Sequence, residues 1–69
     1  METSLYHQMA EKLADHIRTG AIAVGERLPS IRQLAKQEGV SISTVMSAYS
    51  LLEEQGWVEV RPKSGYYAI

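Results

Sequence analysis

Residues 28–56 read LPSIRQLAKQEGVSISTVMSAYSLLEEQG, and their spacing describes a short helix, a tight turn and a longer helix. Ser30, with Gln33 three residues on, forms a capping box: the hydroxyl accepts from the third backbone N–H while the amide reaches back. Pro29 stands just ahead, where its fixed φ and missing N–H do no harm. Ile31, Leu34 and Ala35 then share one face by helical spacing. Gly39 can take the left-handed conformation that closes a helix. Val40 follows as an apolar plug, and Ser41 can cap the next helix.

That second helix, about residues 42–55, has two unlike faces. Val45, Ala48, Tyr49 and Leu52 fall at i, i+3, i+4 and i+7, an apolar stripe that needs a core. The other side carries Ile42, Ser43, Met46, Ser47 and Ser50, and no acid appears before Glu53. A solvated helix face usually carries Glu and Lys. A face of short or uncharged side chains suits a helix that lies against a polyanion, in a groove about 12 Å wide. Two helices with a Gly-containing turn are the helix-turn-helix arrangement, with the second helix as reader.

Working outward, residues 4–19 predict a packing helix. Leu5, Met9, Leu13 and Ile17 are spaced by four, Tyr6, Ala10 and Ala14 widen the stripe, Ser4 is the N-cap and Gly20 the closing residue. Ala21, Ile22 and Val24 are apolar enough to tuck under the domain, and Gly25 marks a turn. Leu28, before a proline, is expected to be extended, as a very short strand or an anchor. After Gly56 the period changes to 2: residues 57–61 read as a strand, 62–65 as a turn and 66–69 as a returning strand. The expected fold is mainly α with a small β-hairpin, a winged helix-turn-helix whose wing spans about residues 61–66. Trp57 and Tyr49 are expected in the core, and Trp57→Ala is expected to cost about 3–5 kcal/mol.

Sixty-nine residues make one domain at most, and a chain this short buries only about 60% of its unfolded surface. It has no Cys, which excludes disulfides and thiolate metal sites. His7 and His16 lie nine apart and have no cluster of metal-spaced partners. No run approaches the ~18 apolar residues that span a membrane, and the N-terminus has acids and amphipathic spacing unlike a signal peptide. A cytoplasmic address is expected. The net charge of −1 argues against a generally basic binder, but its distribution is uneven. Residues 1–26 carry two bases and four acids, net −2; residues 27–52 carry Arg27, Arg32 and Lys36 against Glu38, net +2. Residues 53–60 carry three acids, net −3; residues 61–69 carry Arg61 and Lys63 alone, net +2. Such an asymmetric field steers one face toward DNA.

The run GERLPSIRQLAKQEGVSISTVMSAYSLLEEQGWVEVRPKSGYY resembles the N-terminal DNA-binding domain of GntR-type bacterial transcription regulators. The resemblance covers Leu5 to Ile69 and is carried most specifically by Leu28-Pro29-Ser30, Arg32, Gly39-Val40-Ser41, Thr44-Val45 and Gly56. Ala48-Tyr49 and the wing from Arg61 to Tyr67 resemble the MocR branch. In that branch a domain similar to a pyridoxal-phosphate aminotransferase follows, so the resemblance implies residues 1–69 are a domain excised from a longer regulator. It implies pyridoxal phosphate in such a downstream domain and no cofactor in this chain. It further implies DNA contacts from Arg32, Ser43, Thr44 and Gly65. Many members have arginine at the positions of Ile42 and Met46, where this chain has apolar side chains able to touch thymine methyl groups.

The candidate DNA-binding residues are Ser30, Arg32, Lys36, Ser41, Ile42, Ser43, Thr44, Met46, Ser47, Arg61, Lys63, Ser64 and Gly65. Helix N-terminal N–H groups with hydroxyls suit phosphate, and Ser41 is the one assigned to capping. Arg32 has an alternative as a surface ion pair with Glu38 or a neighbour, and Lys36 as a solvated lysine. A wing glycine lets the backbone approach the minor groove. If Arg32, Lys36, Arg61 and Lys63 all meet phosphates, log K should fall against log salt with a slope of about −3.6. The expected partner is double-stranded DNA, bound by a homodimer of the full-length regulator on half-sites about one helical turn apart. The alternative is a winged-helix protein-interaction module. An enzyme is excluded: there is no nucleophile–base pair, no carboxylate pair in a cleft and no phosphate-cradling glycine loop. No small molecule is expected here, since so small a fold has little room for a pocket of ~300 Å³.

Overall fold

The computed structural model describes residues 4–69. Helix α1 spans Leu5–Thr19, α2 Ile31–Glu38 and α3 Ile42–Glu54; strands β1, Val58–Arg61, and β2, Gly65–Ala68, follow. Each helix begins on a serine whose hydroxyl accepts from the third backbone N–H: Ser4 from His7, Ser30 from Gln33, Ser41 from Thr44. At α2 the box is complete, with Ser30 N–H donating to Gln33 Oε1 at 3.1 Å and Gln33 N–H to Ser30 Oγ at 3.1 Å. Gly20 and Gly39 close α1 and α2 in the left-handed region, at φ 88° and 66°.

The core lies where α1 and α2 both pack on the buried stripe of α3. Val45, Ala48, Tyr49 and Leu52 of α3 are wholly buried, against Met9, Ala10, Leu13 and Ile17 of α1 and Leu34 and Ala35 of α2. Each large apolar side chain buried in this stripe contributes roughly 1.5–3 kcal/mol. Val58 and Ala68 close the core from the hairpin.

The hairpin is antiparallel, pairing Val58 with Ala68, Glu59 with Tyr67, Val60 with Tyr66 and Arg61 with Gly65. A third extended segment lies along the other edge of β2. Arg27 bridges Tyr67, Leu28 N–H donates to the Tyr66 carbonyl at 2.8 Å, and Ala68 N–H donates to the Glu26 carbonyl at 2.9 Å. Leu28 is therefore the anchor its place before Pro29 demands, and it is 2% exposed.

Three expectations about burial do not hold. Leu5 and Tyr6 are 55% and 40% exposed, because the buried run of α1 starts only at Met9 and the first turn overhangs the core. Ala21 and Val24 are exposed as well, and of that loop only Ile22 packs on the core. Trp57 is half-buried, not central. Successive strand residues face opposite ways, and Val58 is the residue turned inward. β1 starts at Val58, which pairs with Ala68, and not at Trp57.

Candidate nucleic-acid interface

An aromatic pair, Tyr49 of α3 and Tyr66 of β2, links α3 to the hairpin and to the segment that enters α2. Tyr49, inside α3, donates its hydroxyl to the Pro29 carbonyl at 2.6 Å. Tyr66 of β2 stands edge-on to it, with ring centroids 4.7 Å apart and an interplanar angle of 63°. Burial, and secondarily Tyr66, pushes the Tyr49 hydroxyl up to about 12. The buried phenol keeps its proton and fixes the residue that precedes the Ser30 cap. Tyr49, which belongs to the core and touches no solvent, thus adds to the backbone bonds between residues 25–28 and β2 in setting Arg32 relative to the wing.

Around this junction Arg27, Ser30, Arg32, Gly65 and Tyr66 line one cavity of about 210 Å³. Ser30, Arg32 and Gly65 are thereby brought to one place. Arg32 is exposed and has no ion pair among the described residues. Glu38, its alternative partner, is taken by Lys12 at 3.2 Å. Lys36 is exposed on α2 one turn beyond Arg32.

At the start of α3 the hydroxyls bond to one another. Ser41 Oγ accepts from the Thr44 N–H at 3.1 Å and lies 3.1 Å from Ser43 Oγ and 2.8 Å from Thr44 Oγ1. Ser43 is exposed and Thr44 half-buried. Ile42 and Met46 are 42% and 51% exposed, and Ser47 and Ser50 are open beside them. The exposed face of α3 is uncharged from Ile42 to Ser50. Tyr6 shares a surface trough of about 440 Å³ with Met46 and Ser47, so hollows above 300 Å³ do exist on this small fold.

The wing turns at Arg61-Pro62-Lys63-Ser64, with Ser64 N–H donating to the Arg61 carbonyl at 2.9 Å. Pro at the second position and φ 66° at Lys63 are the type II arrangement, whose third position ordinarily falls to Gly or Asn. Lys63 is thus a cation carried at the tip in a left-handed conformation. Ser64 is exposed, and its hydroxyl is hydrogen-bonded to that of Tyr67. Arg61 is the least available cation: its Nε donates to Glu59 Oε2 at 2.7 Å, and its guanidinium lies 4.1 Å from the centre of the Tyr67 ring. Glu59 and Arg61 are two apart on one strand, so they share a face.

Arg27 is the neighbour that local pattern does not reveal. Its place at the wing follows from the bridge to Tyr67, a contact between segments far apart in the chain.

Three helices with a hairpin wing, and an uncharged helix face flanked by free cations, define a winged helix-turn-helix domain. Bacterial regulatory proteins of the gntR family match residues 5–67, and the chain belongs to that family. Among its relatives, the HTH-type transcriptional regulator YdcR of Escherichia coli (strain K12) is 48% identical over 62 residues, which are 90% of this chain and 13% of YdcR. YtrA from Sulfolobus acidocaldarius, a GntR-family transcription factor, superposes with a TM-score of 0.92 at 37% identity, over 99% of this chain and 71% of that one. The DNA-binding domain of AraR, solved in complex with operator ORR3, superposes with a TM-score of 0.91 at 26% identity, over 100% and 83% of the two chains. The family is one of regulators and not of enzymes.

Proposed function

We propose that this chain is the sequence-specific, double-stranded DNA-binding domain of a bacterial transcription regulator. The observation that carries this reading is the exposed, uncharged face of α3, Ile42 to Ser50, beside the unpaired Arg32. A solvated helix has no use for such a face. A helix in the major groove does, because hydroxyls bond base edges and apolar side chains meet thymine methyls. The AraR domain bound to its operator supports the same reading.

In this scheme Ser43, Thr44, Ser47, Ile42 and Met46 face the major groove, and Lys63, Ser64 and Gly65 meet the minor groove. Arg32 and Lys36 hold phosphates and set the register. Ser30 and Ser41 shape the two helix starts there. Arg61 gives up its charge to Glu59, so of the four cations first assigned to phosphates Arg32, Lys36 and Lys63 remain, contributing about −2.7 to the salt slope. The domain works as a pair in a homodimeric full-length regulator, in the cytoplasm, and alone it binds weakly. Among the described residues no helix is long and apolar enough to cross a membrane.

The test is a titration of the chain with random-sequence duplex at low and moderate salt, followed by NMR. Salt-sensitive binding with shifts at Arg32, residues 42–47 and residues 63–65 is expected. Shifts confined to α1 would overturn the reading in favour of a protein-interaction module. Ala48-Tyr49 and the wing support a MocR-like regulator, whose downstream domain holds pyridoxal phosphate. A full-length protein without the visible absorbance of that cofactor's Schiff base would refute this finer assignment.

A further inference from the structure

We propose that Arg27 is a DNA-phosphate ligand at the root of the wing, acting with Arg32 on the strand that passes between the two grooves. The inference rests on the DNA-binding reading above and extends it to a residue outside the helix-turn-helix and the wing tip. Three observations carry it.

The first is position. A domain with one helix in the major groove and its wing in the minor groove must straddle a sugar–phosphate strand, since that strand is what separates the grooves. The hollow between the start of α2 and the root of the wing is where the strand would run. Arg27 and Arg32 both line it, and no acid does.

The second is availability. Arg27 is exposed and has no ion pair among the described residues. Its neighbour Glu26 is occupied locally, with Oε1 accepting from the Ala23 N–H at 3.0 Å. Two guanidinium groups facing one hollow without a counter-charge repel each other, and an anion between them removes that cost.

The third is the fit to Gly65. A Cβ built there would stand 2.9 Å from Arg27 Nε and 3.5 Å from Cζ. The missing side chain at the wing root lets the guanidinium lie across the backbone of β2. The bridge from Arg27 to Tyr67 holds its main chain, while the head group beside Gly65 has no ion pair among the described residues.

The test compares Arg27→Met and Arg27→Lys with the parent 69-residue chain on a short random-sequence duplex, by fluorescence anisotropy over a salt series. Methionine keeps the aliphatic stem and removes the charge; lysine restores it. Losing one phosphate contact should make the slope of log K against log salt shallower by about 0.9, roughly an eightfold loss of affinity at 0.1 M salt. Arg27→Lys should restore the parent slope, which a merely structural role would not require. Unchanged thermal unfolding of Arg27→Met would keep the loss assigned to the interface. A parent chain that binds with a steep slope, and an Arg27→Met variant with the same slope and affinity, would overturn the assignment of Arg27 alone. A folded parent chain with no salt-sensitive binding would overturn the DNA reading itself, and this inference with it.

Discussion

Replacing Tyr49 by phenylalanine removes one oxygen from a side chain that is 0% exposed, and it leaves the packing against Tyr66 in place. The lost bond to the Pro29 carbonyl is short, 2.6 Å, and joins α3 to the segment that enters α2. A hydrogen bond of this kind is worth about 1–1.5 kcal/mol net, and water can reach the half-buried Pro29 to limit the damage. For a domain of this size that corresponds to a fall in Tm of about 4–10 °C. The alkaline behaviour is the more discriminating measurement. Tyr49 is pushed up to about 12 in the folded protein, chiefly by burial, whereas the unfolded phenol titrates near its ordinary 10.0. Its folded pKa is the higher one, so the protonated form is favoured by folding. That contribution is complete below pH 10 and disappears as pH rises from 10 to 12. The parent chain should therefore lose about 1.4 kcal/mol per pH unit more steeply than Tyr49→Phe across this window. The phenylalanine variant, weaker at pH 7, should become the more stable of the two near pH 11. Urea unfolding of both proteins between pH 7 and 11.5, followed by Trp57 fluorescence, measures the gap directly. A gap that stays constant through pH 10–11.5 would refute the assignment of a buried, proton-holding Tyr49 as the clamp on α2.

Lys63→Gly should stabilise the domain by about 0.5–1 kcal/mol by relieving the left-handed backbone at the wing tip, while making the salt slope shallower by about 0.9; urea midpoints and a salt series read the two effects separately. Glu59→Gln should free Arg61, steepen the slope by up to about 0.9 and tighten DNA binding at low salt, with stability changed by less than about 1 kcal/mol, because the pair is exposed at the surface. Trp57→Ala should cost about 1–2 kcal/mol in thermal unfolding by circular dichroism, below the roughly 3–5 kcal/mol of a fully buried aromatic, since Trp57 only leans on the core.

The elements and their ends were legible because the signals for them are local. A serine cap acts on a backbone N–H three residues away, and a closing glycine acts on the turn before it, so Ser4, Gly20, Ser30, Gly39 and Ser41 mark the helices without reference to the rest of the chain. The α3 stripe was legible for the same reason: helical spacing alone puts Val45, Ala48, Tyr49 and Leu52 on one side, and the side left over is the candidate reading face. Even the Glu59–Arg61 pair follows from the strand period of two, although charge counting by segment hides it.

Tertiary structure decided what depends on meeting a distant segment. Which apolar residues are covered is set by where the helices cross, so Leu5 and Val24 stay in solvent despite their hydropathy, and Trp57 yields the inward position to Val58. The segment before Pro29 gains its meaning only by bridging β2, which brings Arg27 to the wing and gives the missing Cβ of Gly65 a second purpose. The role of Tyr49 as more than core packing likewise appears only when its hydroxyl is seen to reach Pro29. Caps, turns and periods are properties of a few consecutive residues. Burial and charge pairing belong to surfaces assembled from separate parts of the chain, and no short-range pattern encodes which surfaces those will be.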